Sequence, residues 1–101
     1  MPKRKNQDPR TYSREHCQER ARDRYDHFLT DNEYHSLEER IRQFYKGNKA
    51  YNLGMKHLND EGTQATLVAE HWGRKWIAVF DKETEILKTF LPPEQFSENL
   101  N

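Results

Sequence analysis

The chain has 101 residues, enough for one domain with one modest core. Hydrophobic residues make up 33% and charged residues 34%, and the mean hydropathy of −1.29 leans toward disorder. Five Phe, five Tyr and two Trp nevertheless supply the buried area that a folded core requires.

Seventeen Lys and Arg balance seventeen Asp and Glu, so no global field draws nucleic acid in. Residues 1–50 carry 12 Lys/Arg against 9 Asp/Glu, and residues 51–101 carry 5 against 8. Contact with RNA or DNA therefore has to rest on a local patch in the first half. One cysteine, Cys17, cannot close an internal disulfide and reads as a small buried hydrophobe. No signal peptide is visible, and the longest apolar run, Trp76 to Phe80, is too short to span a bilayer. The expectation is a cytoplasmic protein without a membrane partner.

In chain order, residues 1–11 read as a flexible basic tail, with Lys3, Arg4 and Lys5 as its cations. Residues 12–93 read as a single domain, and 94–101 as a frayed end. A first helix is expected to start at Ser13, a good N-cap, and to end around Phe28 or Leu29. At ~100° per residue His16, Arg20 and Arg24 share a stripe about 80° wide. Cys17, Ala21, Tyr25, Phe28 and Leu29 form the adjoining apolar stripe.

Thr30-Asp31-Asn32-Glu33 fits a capping box, with Leu29 and Tyr34 placed as a hydrophobic staple, so a second helix follows at once. Its apolar face is Tyr34, Leu37, Ile41, Phe44 and Tyr45, Gly47 ends it, and Glu38, Glu39, Arg40 and Arg42 read as a solvated face. Beyond Gly47 the period changes to alternation. Tyr51 to His57, Gln64 to Trp72, Lys75 to Phe80 and Glu85 to Leu91 are the predicted strands, with turns at 59–62, at Gly73 and at 81–84. Pro92-Pro93 stops the last one. The fold class expected is α+β: two N-terminal helices on a three- to four-stranded antiparallel sheet, with one sheet face left partly open.

The histidines make no compact ligand set with the lone cysteine, so no metal is expected, and no phosphate-binding glycine loop or Gly-x-Ser-x-Gly element is present. No cofactor is expected. What the residues suit is metal-free attack of a ribose 2′-hydroxyl on its phosphate. His16 can serve as acid or base, and Arg20 and Arg24 can clamp phosphate through bidentate forks. Thr89 can add a hydroxyl, while His27, Lys75 and Trp76 are candidates for nucleic-acid contact, Trp76 by stacking. Ion pairs along the helix, strand propensity and core packing explain the same residues without any site.

The order His16-x-x-x-Arg20-x-x-x-Arg24-Tyr25, Leu29-Thr30, Trp76-Ile77-Ala78-Val79-Phe80-Asp81 and Ile86-Leu87-Lys88-Thr89-Phe90-Leu91-Pro92 resembles small phage and bacterial domains of the barnase–EndoU–colicin–RelE-like ribonuclease superfamily. The likeness covers roughly residues 12–93. It implies helices packed on an antiparallel sheet and, in active members, metal-independent RNA cleavage in a bacterial cell or phage-infected host, toxin-like and directed at free or ribosome-associated RNA. By position it implies His16, Arg20, Arg24 and Thr89 as the catalytic set. The neutral charge departs from strongly basic RelE-type toxins, and Glu70 and His71 are the candidates for a second acid or base. Small size, zero charge and abundant aromatics suit equally a non-catalytic phage accessory protein that binds and inhibits a host protein. A small nucleic-acid-binding module is the third reading.

Overall fold

The computed structural model describes residues 8–94; the tail expectations for 1–7 and 95–101, including Lys3, Arg4 and Lys5, lie outside the described residues. Two helices, α1 (Pro9–Tyr25) and α2 (Asp31–Tyr45), precede a short 3-10 turn at Lys49–Tyr51. Four strands follow: β1 (Met55–Glu61), β2 (Gln64–His71), β3 (Arg74–Asp81) and β4 (Ile86–Leu91). They form one antiparallel sheet in the order β1-β2-β3-β4, a meander. The α+β arrangement expected from the period change is the one observed.

Helix α1 starts four residues earlier than Ser13. Asp8 is its N-cap, accepting from the Arg10 amide at 2.8 Å and from Thr11 Oγ1 at 2.8 Å, and Pro9 occupies the first turn. Proline suits that position because its missing N–H is one the helix would leave unpaired. Residues 9–11 are therefore helix rather than tail, and Ser13 is a buried side chain inside the helix. At the other end Asp26 adopts a left-handed conformation, φ 51°, and the helix stops at Tyr25. Short polar side chains tolerate that region best after glycine.

The junction into α2 follows the capping box: Glu33 N–H donates to Thr30 Oγ1 at 3.1 Å and Thr30 N–H to Glu33 Oε1 at 3.0 Å. Leu29 and Tyr34 both join the core. Helix α2 ends in a Schellman motif, with Gly47 N–H bonded to the Phe44 carbonyl and Asn48 N–H to that of Gln43.

The core lies between the helices and one sheet face. Cys17, Ala21, Tyr25, Leu29, Tyr34, Leu37 and Ile41 meet Leu67, Ala69, Trp76, Ala78, Phe80, Leu87 and Phe90. Tyr25 and Trp76 stack with centroids 4.7 Å apart. The opposite sheet face carries Thr66, Val68, Ile77, Val79 and Thr89, as the alternation of the ladders requires.

β1 begins at Met55 and runs through the predicted 59–62 turn to Glu61; the reversal uses only Gly62 and Thr63. Gly54 precedes it at φ 77°, with its carbonyl 2.7 Å from the Glu70 amide. A Cβ there would sit 3.1 Å from Glu70 Cβ, so the site needs glycine. The β2–β3 turn is Trp72-Gly73, both at positive φ (52° and 73°), which matches the right-handed twist of the hairpin.

Strand β4 is an outer strand whose free edge is covered from the helices. Arg10 Nη2 donates to the Glu85 carbonyl at 3.1 Å, Tyr34 Oη to the Leu87 carbonyl at 2.7 Å and Arg24 Nη1 to the Phe90 carbonyl at 2.8 Å. Leu87 N–H donates to Glu38 Oε2 at 3.0 Å. An exposed edge invites pairing with other chains, and these side chains remove the invitation. Glu38 is thus not on a solvated face: it is only 3% exposed, accepts from Tyr34 Oη and lies 3.4 Å from both Arg10 Nε and Arg42 Nη2.

Candidate functional site

The stripe read from the sequence is present on α1, but its members have different occupations. Arg24 is tied to the Phe90 carbonyl. Arg20 lies 3.9 Å from Asp23. His16 stacks on Tyr12 at 6.2 Å with the rings 12° from parallel. Burial, then the neighbouring Arg20, push its pKa below the ordinary value; Glu19 opposes them and Arg24 adds to the depression. Burial and the nearby guanidiniums thus favour the neutral imidazole.

Thr89 is not brought to this group. It pairs with Val79, while its neighbour Phe90 pairs with Ala78 on the helix-covered face, so the Thr89 side chain lies on the sheet face away from α1. Arg24 reaches the backbone one residue away, yet the hydroxyl and the imidazole stand on different surfaces. Of the supposed nucleic-acid contacts, His27 and Trp76 come together edge to face with centroids 5.3 Å apart, while Lys75 stands apart from them. Trp76 is 0% exposed, its ring held by Tyr25, Phe90 and a bond from Nε1 to the His71 carbonyl at 3.1 Å, which leaves no face for a base. Lys75 is exposed opposite Glu70, on the side of the sheet away from the helices. His27 stacks on Trp72 at 5.4 Å and lies 3.4 Å from Glu33.

Glu70 is exposed and its carbonyl accepts from Arg40. Arg40 also donates to His71 Nδ1, so the His71 proton sits on Nε2, a buried atom with no hydrogen-bond partner among the described residues. Burial and Arg40 push the His71 pKa down. Cys17 is buried, its thiol pushed far up by burial, and it donates to the Leu87 carbonyl at 3.6 Å; it is no nucleophile.

His16 opens instead onto a groove of 670 Å³ between α1 and the segment joining it to α2. One wall is the solvent side of α1, with Tyr12, Glu15, Glu19 and Arg22; the other is Phe28, Leu29, Thr30 and Asp31. Asp31 is held by Arg14 Nε at 3.3 Å and by Gln18 Nε2 at 2.8 Å, which ties the walls together. Phe28 is 80% exposed and Tyr12 49%. The sequence placed Phe28 on the buried stripe, because the helix was carried past Tyr25. The left-handed Asp26 takes the chain out of the helical period and turns Phe28 to solvent.

Among the described residues no group of three His, Cys, Asp or Glu is placed to hold a metal, and no helix is long and apolar enough to cross a membrane. Comparison with family models, with curated proteins and with solved structures gives no match.

Proposed function

We propose that this chain is a non-catalytic protein-recognition module that works through the groove between α1 and the α1–α2 segment. The observation carrying this reading is Phe28, a large ring left 80% exposed at the lip of that groove. Covering such a ring with a partner contributes ~2 kcal/mol, and aromatic residues dominate the centres of interfaces. Tyr12 extends the same surface. Glu15, Glu19 and Asp31 face Arg22 along the walls, with Arg14 on Asp31, a lining of mixed charge that suits a protein better than a phosphate backbone. A host protein met in a bacterial cell is the partner this reading favours. Capture from an RNase-treated bacterial lysate tests it: wild-type chain retains a stoichiometric protein that Phe28→Ser loses and His16→Ala keeps. Equal capture by wild type and both variants, or none by wild type, removes the reading.

A second reading, metal-independent RNA cleavage of toxin type, is favoured by His16 alone. An imidazole whose neutral form is favoured, with Arg20 near it, can take a 2′-hydroxyl proton while the guanidinium meets the phosphorane charge. Arg24 and Thr89 are not available to complete that set. Incubation with total RNA in EDTA distinguishes the readings. The recognition reading expects no cleavage that depends on His16, whereas cleavage abolished by His16→Ala would establish the enzyme instead.

A further inference from the structure

We propose that Arg40 and His71 form a proton-operated latch, which holds the β2–β3 turn closed and releases Trp72 when His71 takes a second proton. The latch goes beyond protein recognition and does not rest on it. Arg40, on α2, donates to three acceptors outside its own helix: His71 Nδ1, the Glu70 carbonyl at 3.3 Å and the Leu53 carbonyl at 3.5 Å. One guanidinium thus ties α2 to the end of β2 and to the loop before β1. A guanidinium only donates, so the Nδ1 bond exists only while that nitrogen keeps its lone pair. Protonation there sets two donors face to face, and the latch breaks. No second polar contact holds the ring, because Nε2 is buried without a hydrogen-bond partner among the described residues. The Trp72 ring lies against His71 with centroids 3.9 Å apart. The imidazole that Arg40 positions is therefore one wall of the Trp72 site.

The charges around His71 set how readily it accepts that proton. Arg40 of α2 opposes it, and Glu33 of α2 favours it but is shared with His27 and the Thr30 amide. Arg74 stands opposite His71 in the β2–β3 ladder, its guanidinium bonded to the Tyr25 carbonyl. Glu70 alternates to the other sheet face, opposite Lys75. Burial and Arg40 prevail over Glu33 and push the His71 pKa below 6.5, so opening requires acid. Two other histidines beside aromatic rings behave differently. His57 meets the Tyr45 hydroxyl at 2.8 Å and Asp60 at 3.4 Å, and His27 meets Glu33 at 3.4 Å. Protonation preserves or strengthens those contacts, since a hydroxyl also accepts and a carboxylate favours imidazolium. Of the three, His71 alone loses its polar partner.

Acrylamide quenching of tryptophan emission from the full chain, between about pH 7 and about pH 5, tests the latch. Trp72→Phe supplies the contribution of the buried Trp76. Quenching of Trp72 rises about twofold on acidification, the room left to a ring 36% exposed at the outset, while far-ultraviolet dichroism stays constant. His71→Asn keeps an acceptor in place of Nδ1 but cannot titrate, so its quenching stays low throughout. Arg40→Met removes the donor, and its quenching is already raised at neutral pH. His27→Gln keeps the pH-dependent rise, which separates the latch from the other imidazole stacked on Trp72. Arg40 and His71 are only half-buried, so the variants fold, and cooperative melting at neutral pH verifies it. No rise in wild type, the same rise in His71→Asn, or a rise abolished by His27→Gln overturns the proposal. So does a rise that comes only with lost dichroism, or an Arg40→Met chain as protected as wild type at neutral pH.

Discussion

Glu38 holds together three parts of the molecule that are distant in sequence. Its carboxylate accepts from Tyr34 within α2 and from the Leu87 amide of β4, and it faces Arg10 of α1 and Arg42. Removing one partner of a buried charged network strands the others, at a cost of several kcal/mol. Glu38→Ala is expected to lose ~3 kcal/mol in urea unfolding; a loss below ~1 kcal/mol would show that the arginines find other partners or water. In sequence this residue was indistinguishable from Glu39, its exposed neighbour, because its partners lie 28 and 49 positions away.

Two histidines set an acid dependence at the same scale. Burial and Arg20 depress His16, and burial and Arg40 depress His71, both from 6.5. Such groups bind protons more readily in the unfolded chain. Their contribution is complete above pH 6.5 and is lost as pH falls through the depressed folded values. Melting temperature is expected to decline on acidification from pH 7 toward pH 5, and His16→Gln/His71→Gln to flatten that decline. An unchanged slope in the double variant would place the acid response elsewhere.

Among the elements, helix boundaries decided what could be read. The Thr30 capping box, the Gly47 stop and the strand order were legible because each is a local signal that the tertiary structure reinforces. The start of α1 was misplaced at Ser13, because Ser13 is in isolation as good a cap as Asp8, the residue that caps the helix. What favours Asp8 is the longer helix, which carries Arg10 to Glu85 and Glu38. Asp8→Ala should therefore cost ~1 kcal/mol in equilibrium unfolding, while Ser13→Ala, a buried residue that is not the cap, should not reproduce a capping loss. The end of α1 was read three or four residues too late, and that displaced Phe28 from lip to core. The groove was the part least legible in advance, since its two walls come together only when the chain turns at Asp26.

For the molecule as a whole, the two faces of the fold have unequal work. The sheet face under the helices is a closed core, and the outer edge of β4 is sealed by Arg10, Tyr34, Glu38 and Arg24, the last of which the sequence alone offered as half of a phosphate clamp. Neutral net charge leaves partner choice to local surfaces. The groove combines exposed rings with walls of mixed charge, whereas Leu53, 87% exposed between the 3-10 turn and β1, stands outside it. A photo-crosslinkable phenylalanine analogue placed at position 28, with position 53 as the control, asks directly whether the groove is the working surface. The account predicts a protein adduct at position 28, unaffected by RNase, and none at position 53. No adduct at position 28, equal adducts at both positions, or an adduct to RNA would contradict it.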